Sequence, residues 1–205
     1  MKSNMKQESQ KDLQRKAIEM LEHYETVIQS MHKVIGGLKL YPKVLTKPEH
    51  KHLHTVFDKI LFNALCNLDL ITELKYLDMS QASGNNFEAN FFARITAHSC
   101  FEILDNVNRT VGKEIIVLVE NRLGIEALHE LNAHVKELNV LKKQHIVSLK
   151  KIRNNLFGHR MNAGREQVEE MLLINPKSIY AIGNQIFKIE IKIQDAFMKV
   201  LSKNG

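Results

Sequence analysis

"FKIEIKIQ" (Phe187–Gln194) decides the fold, because it is the one stretch of this chain that alternates as a β-strand would. Ile189, Ile191 and Ile193 stand at every second position, with Lys188, Glu190 and Lys192 between them. Strict alternation marks a half-buried strand, whereas spacings of three and four mark one face of a helix. The neighbours settle the choice. Ile182, Ile186 and Phe197 continue a helical spacing on both sides of the segment, and Asn175-Pro176 upstream offers an N-cap followed by proline at the first helical position. The stretch is therefore read as the middle of a last helix running to about Lys203, and with it the chain loses its best strand.

Working back from there, helical spacing recurs. Leu13, Ala17, Leu21, Tyr24, Ile28, Met31 and Ile35 predict a first helix ended by Gly36-Gly37. After a connector, "LKLYPKVLTKPE", a second helix carries Leu53, Phe57, Ile60, Leu61, Leu65, Leu68 and Ile71 to about Leu77. "SQASGNN" reads as a loop, and a third helix spans about Phe87 to Thr110. A long fourth helix, from near Gly124 to Gly158, shows a stripe of Leu128, Leu131, Val135, Leu138, Leu149, Ile152 and Leu156. A short helix is expected over Glu166 to Leu173. The reading is all-α: a single-domain bundle of about five to six helices over residues 11–205, with residues 1–10 as a loose tail.

Composition narrows the function classes. Of 205 residues 44% are apolar and 25% charged, ordinary for a globular protein. No apolar run approaches the ~20 residues of a membrane span, and the charged start has no apolar core of a secretory signal. Cys66 and Cys100 cannot form a disulfide framework and sit in apolar helical patterns, so they are expected as small buried side chains in a reducing cytoplasm. The net charge of +6 favours a polyanionic partner. With no tryptophan and 6% aromatics, a base-stacking platform is not expected, and phosphate contacts should dominate any RNA binding. No Walker loop, GxSxG elbow or HExxH is present.

The chemistry concentrates in "LKKIRNNLFGHRMN" (Leu149–Asn162). On a straight helix Arg153 and His159 would point about 120° apart and lie ~9 Å apart along the axis. They cannot then grip one phosphate unless Gly158 breaks the helix, a second protomer completes the site, or both. The bland alternative is an Arg near a helix C-terminus, a glycine stop and a polar loop.

Arg153-Asn154-Asn155-Leu156-Phe157-Gly158-His159, at the end of a long helix in an all-α chain of this size, resembles the Rx4-6H signature of HEPN domains. With the upstream "FFARITAHSCFEILDNVNR", the segment looks most like the abortive-infection, AbiU-type branch. Glycine before the histidine departs from the small apolar residue often found there. The resemblance implies a metal-independent endoribonuclease of toxin or phage-defence type, acting as a homodimer without a cofactor, with RNA (tRNA or mRNA) as substrate and a cognate antitoxin protein as a further partner. It implies His159 as acid/base on the ribose 2′-OH and the leaving 5′-oxygen, and Arg153 holding the scissile phosphate. Asn154 would support them, and Arg160, Lys150 and Lys151 would bind phosphates. The alternative is a non-catalytic HEPN-like module that binds RNA or a protein partner.

Other ionisable residues along the chain bear on the same chemistry. Arg94, His98, Glu102, Asp105 and Arg109 form one ionisable stripe on the third helix. A solvated face of i,i+4 ion pairs is the favoured reading. In the other, Glu102 or Asp105, with His98, packs beside the motif helix and orients Arg153 or His159. His50, His52 and His54 lack a third ligand at helical spacing, so an exposed cluster is favoured over a metal site. His145 is expected at a helix interface. Lys142, Lys143, Lys150, Lys151, Arg153, Arg160 and Arg165 read equally well as an RNA channel or a solubilising face.

Overall fold

The computed structural model describes residue 15 and residues 18–37, 51–157 and 173–202, and among them there are six helices and no strand. They are α1 (residues 18–37), α2 (Lys51–Ala82), α3 (Asn86–Thr110), α4 (Lys113–Leu123), α5 (Ile125–Phe157) and α6 (Pro176–Ser202). The all-α bundle expected from the spacing is the fold observed. The 1–10 tail and most of the short helix expected over Glu166 to Leu173 lie outside the described residues; Leu173 itself sits in a turn.

Three boundaries differ from the sequence reading. α1 still includes Gly36 and Gly37. α2 runs five residues past Leu77 to Ala82, consuming part of the expected loop. Residues 113–123, left unassigned between two helices, form α4, whose five consecutive branched residues (Ile115–Val119) hide the period that packing imposes. Ile115 and Val119, four apart, are buried, while Val117 faces out.

The corners follow from local chemistry. Gly84 adopts φ +72°, a left-handed conformation open to glycine, and closes the α2–α3 turn. Asn85 then caps α3 by accepting a hydrogen bond from the Glu88 N–H at its Oδ1. Gly124, at φ +93°, separates α4 from α5. Asn175 accepts the Ser178 N–H at 3.2 Å and Pro176 opens α6, as the sequence predicted.

α3 lies at the centre, packed on α2, α5 and α6, while α4 bridges α5 and α6. α6 contributes Ile179, Ile182, Ile186, Ile193, Phe197 and Val200 to the core, each fully buried side chain contributing about 1.5–3 kcal/mol. Helical spacing in "FKIEIKIQ" was therefore the right period. At Gly183 the helices approach so closely that a Cβ would lie 2.9 Å from Leu74 Cδ2 and 3.2 Å from Thr96 Cγ2. Tyr24 ties α1 to this core, donating to Asp78 Oδ2 and sharing a 2.7 Å hydrogen bond with the Tyr180 hydroxyl. Both cysteines are free, Cys100 fully buried and Cys66 partly so.

Candidate functional site

Arg153 stands one turn before the last residue of α5, on the side facing α3. Its Nε lies 3.3 Å from Glu102 Oε1, and its guanidinium carbon is 4.9 Å from the centre of the Phe101 ring. A carboxylate on one edge and an aromatic face beneath hold the guanidinium in one plane. The contact uses the inner nitrogen, and the two terminal nitrogens lie farther along the side chain. With 39% and 38% of the two side chains exposed, the pair is in reach of water and of an incoming anion. Glu102 is positioned in turn by α3, where Asn106 donates to its carboxylate (3.4 Å) and to its backbone carbonyl (2.8 Å).

The reading of the α3 stripe as a solvated face of i,i+4 pairs requires correction. Glu102 reaches across to Arg153, and Asp105 reaches Lys142 of α5 at 3.2 Å. Toward the other end of the stripe, Arg94 and His98 are half-buried, and burial lowers the Arg94 pKa. Glu102 and Asp105 are the part of the stripe that meets α5. Of the two, Glu102 is the one in contact with Arg153; Asp105 engages Lys142 instead.

Asn154, Lys150, Lys151 and Lys143 are exposed, whereas Lys142 is half-buried against Asp105. His145 is half-buried on α5, and its carbonyl accepts the Ser148 hydroxyl. His159, Arg160 and Arg165 lie outside the described residues, as does His50. His54 is half-buried near the start of α2. No group of three or more His, Cys, Asp or Glu side chains is arranged to hold a metal ion among the described residues.

Sequence reading missed a buried polar cluster in the α2–α6 seam. Glu190, 3% exposed, accepts a hydrogen bond from Asn63 Nδ2, and Asn67 Nδ2 donates to Asn63 Oδ1 at 3.2 Å. Gln194, one turn along α6, is equally buried. Asn67 Oδ1 and both amide atoms of Gln194 have no hydrogen-bond partner among the described residues. Burial pushes the Glu190 carboxyl up to about 7, against the opposing pull of the Asn63 hydrogen bond. Beside it, burial and then the Glu190 charge raise the Cys66 thiol to about 12, so this cysteine is held as an unreactive thiol. The available signal was helical phase: Glu190 lies four residues from both Ile186 and Gln194 and seven from Phe197, on the buried stripe.

Concavities also open at other helix contacts. An open cleft of about 420 Å³ between α1 and α2 is lined by Glu25, His32, Asp69, Glu73, Lys75 and Tyr76, among others. Burial raises the Glu73 carboxyl to about 7, partly offset by the Ser99 hydroxyl that donates to it. Lys75 is engaged with Glu25. A smaller pocket of about 280 Å³ lies where α2 meets the end of α3.

No helix of the described residues is long and apolar enough to cross a membrane. Comparison of the chain with protein-family models, with curated proteins and with solved structures finds no match.

Proposed function

We propose that this protein is a metal-independent, HEPN-like endoribonuclease of toxin or phage-defence type, working as a homodimer. Arg153 holds the scissile phosphate, His159 moves the protons, and Asn154 supports them. The observation that carries the reading is the setting of Arg153. In a segment of Arg-Asn-x4-His form, its guanidinium is fixed by Glu102 and Phe101 yet 39% exposed at the end of a long helix. A pre-oriented cation near water is suited to a phosphate whose charge grows in the transition state. An imidazole with an ordinary pKa near 6.5 suits the 2′-OH and 5′-oxygen transfers. Glu102 acts through Arg153 as a positioning residue.

The same contact favours a second reading, a non-catalytic module of this kind that binds RNA or a protein partner. Glu102 neutralises part of the Arg153 charge, and a phosphate must compete with it. The two readings separate on cleavage of total and transfer RNA by the purified protein in excess EDTA. The nuclease reading expects products ending in 2′,3′-cyclic phosphate and at least about a hundredfold loss in His159→Ala and in Arg153→Ala, in line with general acid–base and electrostatic terms. An uncleaved substrate with a folded dimer leaves the binding module.

A further inference from the structure

At the α2–α3 end of the molecule, six residues enclose the shallow 280 Å³ pocket: Thr55, Asp58, Lys59 and Phe62 from α2, and Arg109 and Thr110 from α3. Its size lies just below the ~300–1,000 Å³ of small-molecule sites, room for one flat ring system. Phe62 is 45% exposed, an aromatic face that the core leaves to solvent. Arg109, which lines the same pocket, is exposed and makes no ion pair with a described residue. Lys59 is committed elsewhere, with its Nζ 2.8 Å from Glu114 Oε2. That pair crosses Gly112, where a Cβ would come within 2.6 Å of the Lys59 Nζ, and so walls one side of the pocket.

The pocket also has a defined place relative to Arg153. Arg109 follows Glu102 by seven residues, within about 20° of the same face of α3 and ~10 Å along its axis. A single strand stacked at about 3.4 Å per nucleotide covers that distance in roughly three nucleotides. Arg109 thus stands on the face of α3 that carries Glu102, the partner of Arg153.

We infer that this pocket is an RNA subsite that stacks one base on Phe62 and holds the adjoining phosphate with Arg109. The inference rests on RNA being the ligand of the Arg153 face. Asp58 lines the same pocket, and a carboxylate there accepts from a base amino group and so favours bases that carry one over uracil. A single stacking position of this kind, and not an aromatic platform, is compatible with the low aromatic content.

The test is binding, read separately from cleavage. Short single-stranded 2′-O-methyl RNAs lack the internal nucleophile, so fluorescence anisotropy on the full chain reports affinity alone. Phe62→Ala is expected to weaken a cytosine- or adenine-containing oligomer about tenfold, while Phe62→Tyr stays within about twofold. With abasic sites throughout the oligomer, Phe62→Ala should make no difference. Arg109→Ala should lower affinity for both oligomers and reduce the salt slope by about one. Because the Phe62 ring is partly exposed, circular dichroism of the variant should match the parent. The inference is overturned by unchanged affinity in Phe62→Ala, by an equal loss on the abasic oligomer, or by a parent protein that binds neither. Phe62-dependent binding without cleavage of natural RNA would sink the nuclease reading and leave this subsite standing. Cleavage that is indifferent to Phe62, with equal binding, would do the reverse.

Discussion

Where α3 meets α5, Glu102 and Arg153 are both more than a third exposed; where α2 meets α6, Glu190 is 3% exposed and is answered, among the described residues, by an amide. Both carboxylates sit on helix seams, and both have a partner from a neighbouring helix. In the first, water screens the charges, so the pair contributes little to stability, in the range of ~0.2–1 kcal/mol for exposed ion pairs. Its effect is to orient a guanidinium that remains accessible. In the second, desolvation dominates, and the carboxyl responds by holding its proton to about 7. The difference teaches that a carboxylate positions a solvent-accessible cation when half-exposed, and couples folding to pH when buried.

The pH dependence of stability sharpens this contrast most. Glu190 titrates near its ordinary 4.5 in the unfolded chain and about 7 in the native one, so between these values the native state binds the extra proton. Its contribution is fully present below about pH 4.5 and is lost as pH rises to about 7, a change on the order of 3 kcal/mol. Glu73 adds to the slope in the same direction. Urea unfolding from pH 4.5 to 8 should show stability falling with pH, and Glu190→Gln should flatten the curve. An unchanged slope in that variant would remove Glu190 from the account.

Asn63→Ala tests the same seam at smaller scale. It strips the donor from the buried carboxyl and should cost about 2 kcal/mol at pH 8, and less at pH 5, where the protonated acid needs it less. A loss independent of pH would mean that packing, not the hydrogen bond, is what the asparagine supplies.

Glu102→Gln is the smallest effect on folding: under about 1 kcal/mol, and erased by high salt. If Arg153 is oriented through Glu102, the same variant should nonetheless lower RNA cleavage severalfold, with Glu102→Asp restoring part of it. A large stability loss that persists in salt would collapse the distinction between the two seams.

The helices were legible because period survives without knowledge of neighbours: α6 follows from Ile182, Ile186 and Phe197, and its start from Asn175-Pro176. α4 was not, because five consecutive branched residues present no face until α5 and α6 cover two of them. The position of Arg153 near the end of a long helix was legible from the apolar stripe of α5 and Gly158. The assignment of Glu102 and not Asp105 to Arg153 was open, since both lie on one stripe of α3 and only the docking of α5 distinguishes them.

By itself the sequence determined that the fold is an all-α bundle and that Arg153 stands near the end of a long helix, because both depend on local periodicity and capping. The tertiary structure alone decided which charges meet water. Glu190 and Lys192 look alike as charged residues between isoleucines, yet one is buried and the other exposed. Likewise Phe62 reads as one more apolar residue of α2 until α3 brings Arg109 beside it. Desolvation and juxtaposition belong to the packed assembly of helices, and no single helix carries them.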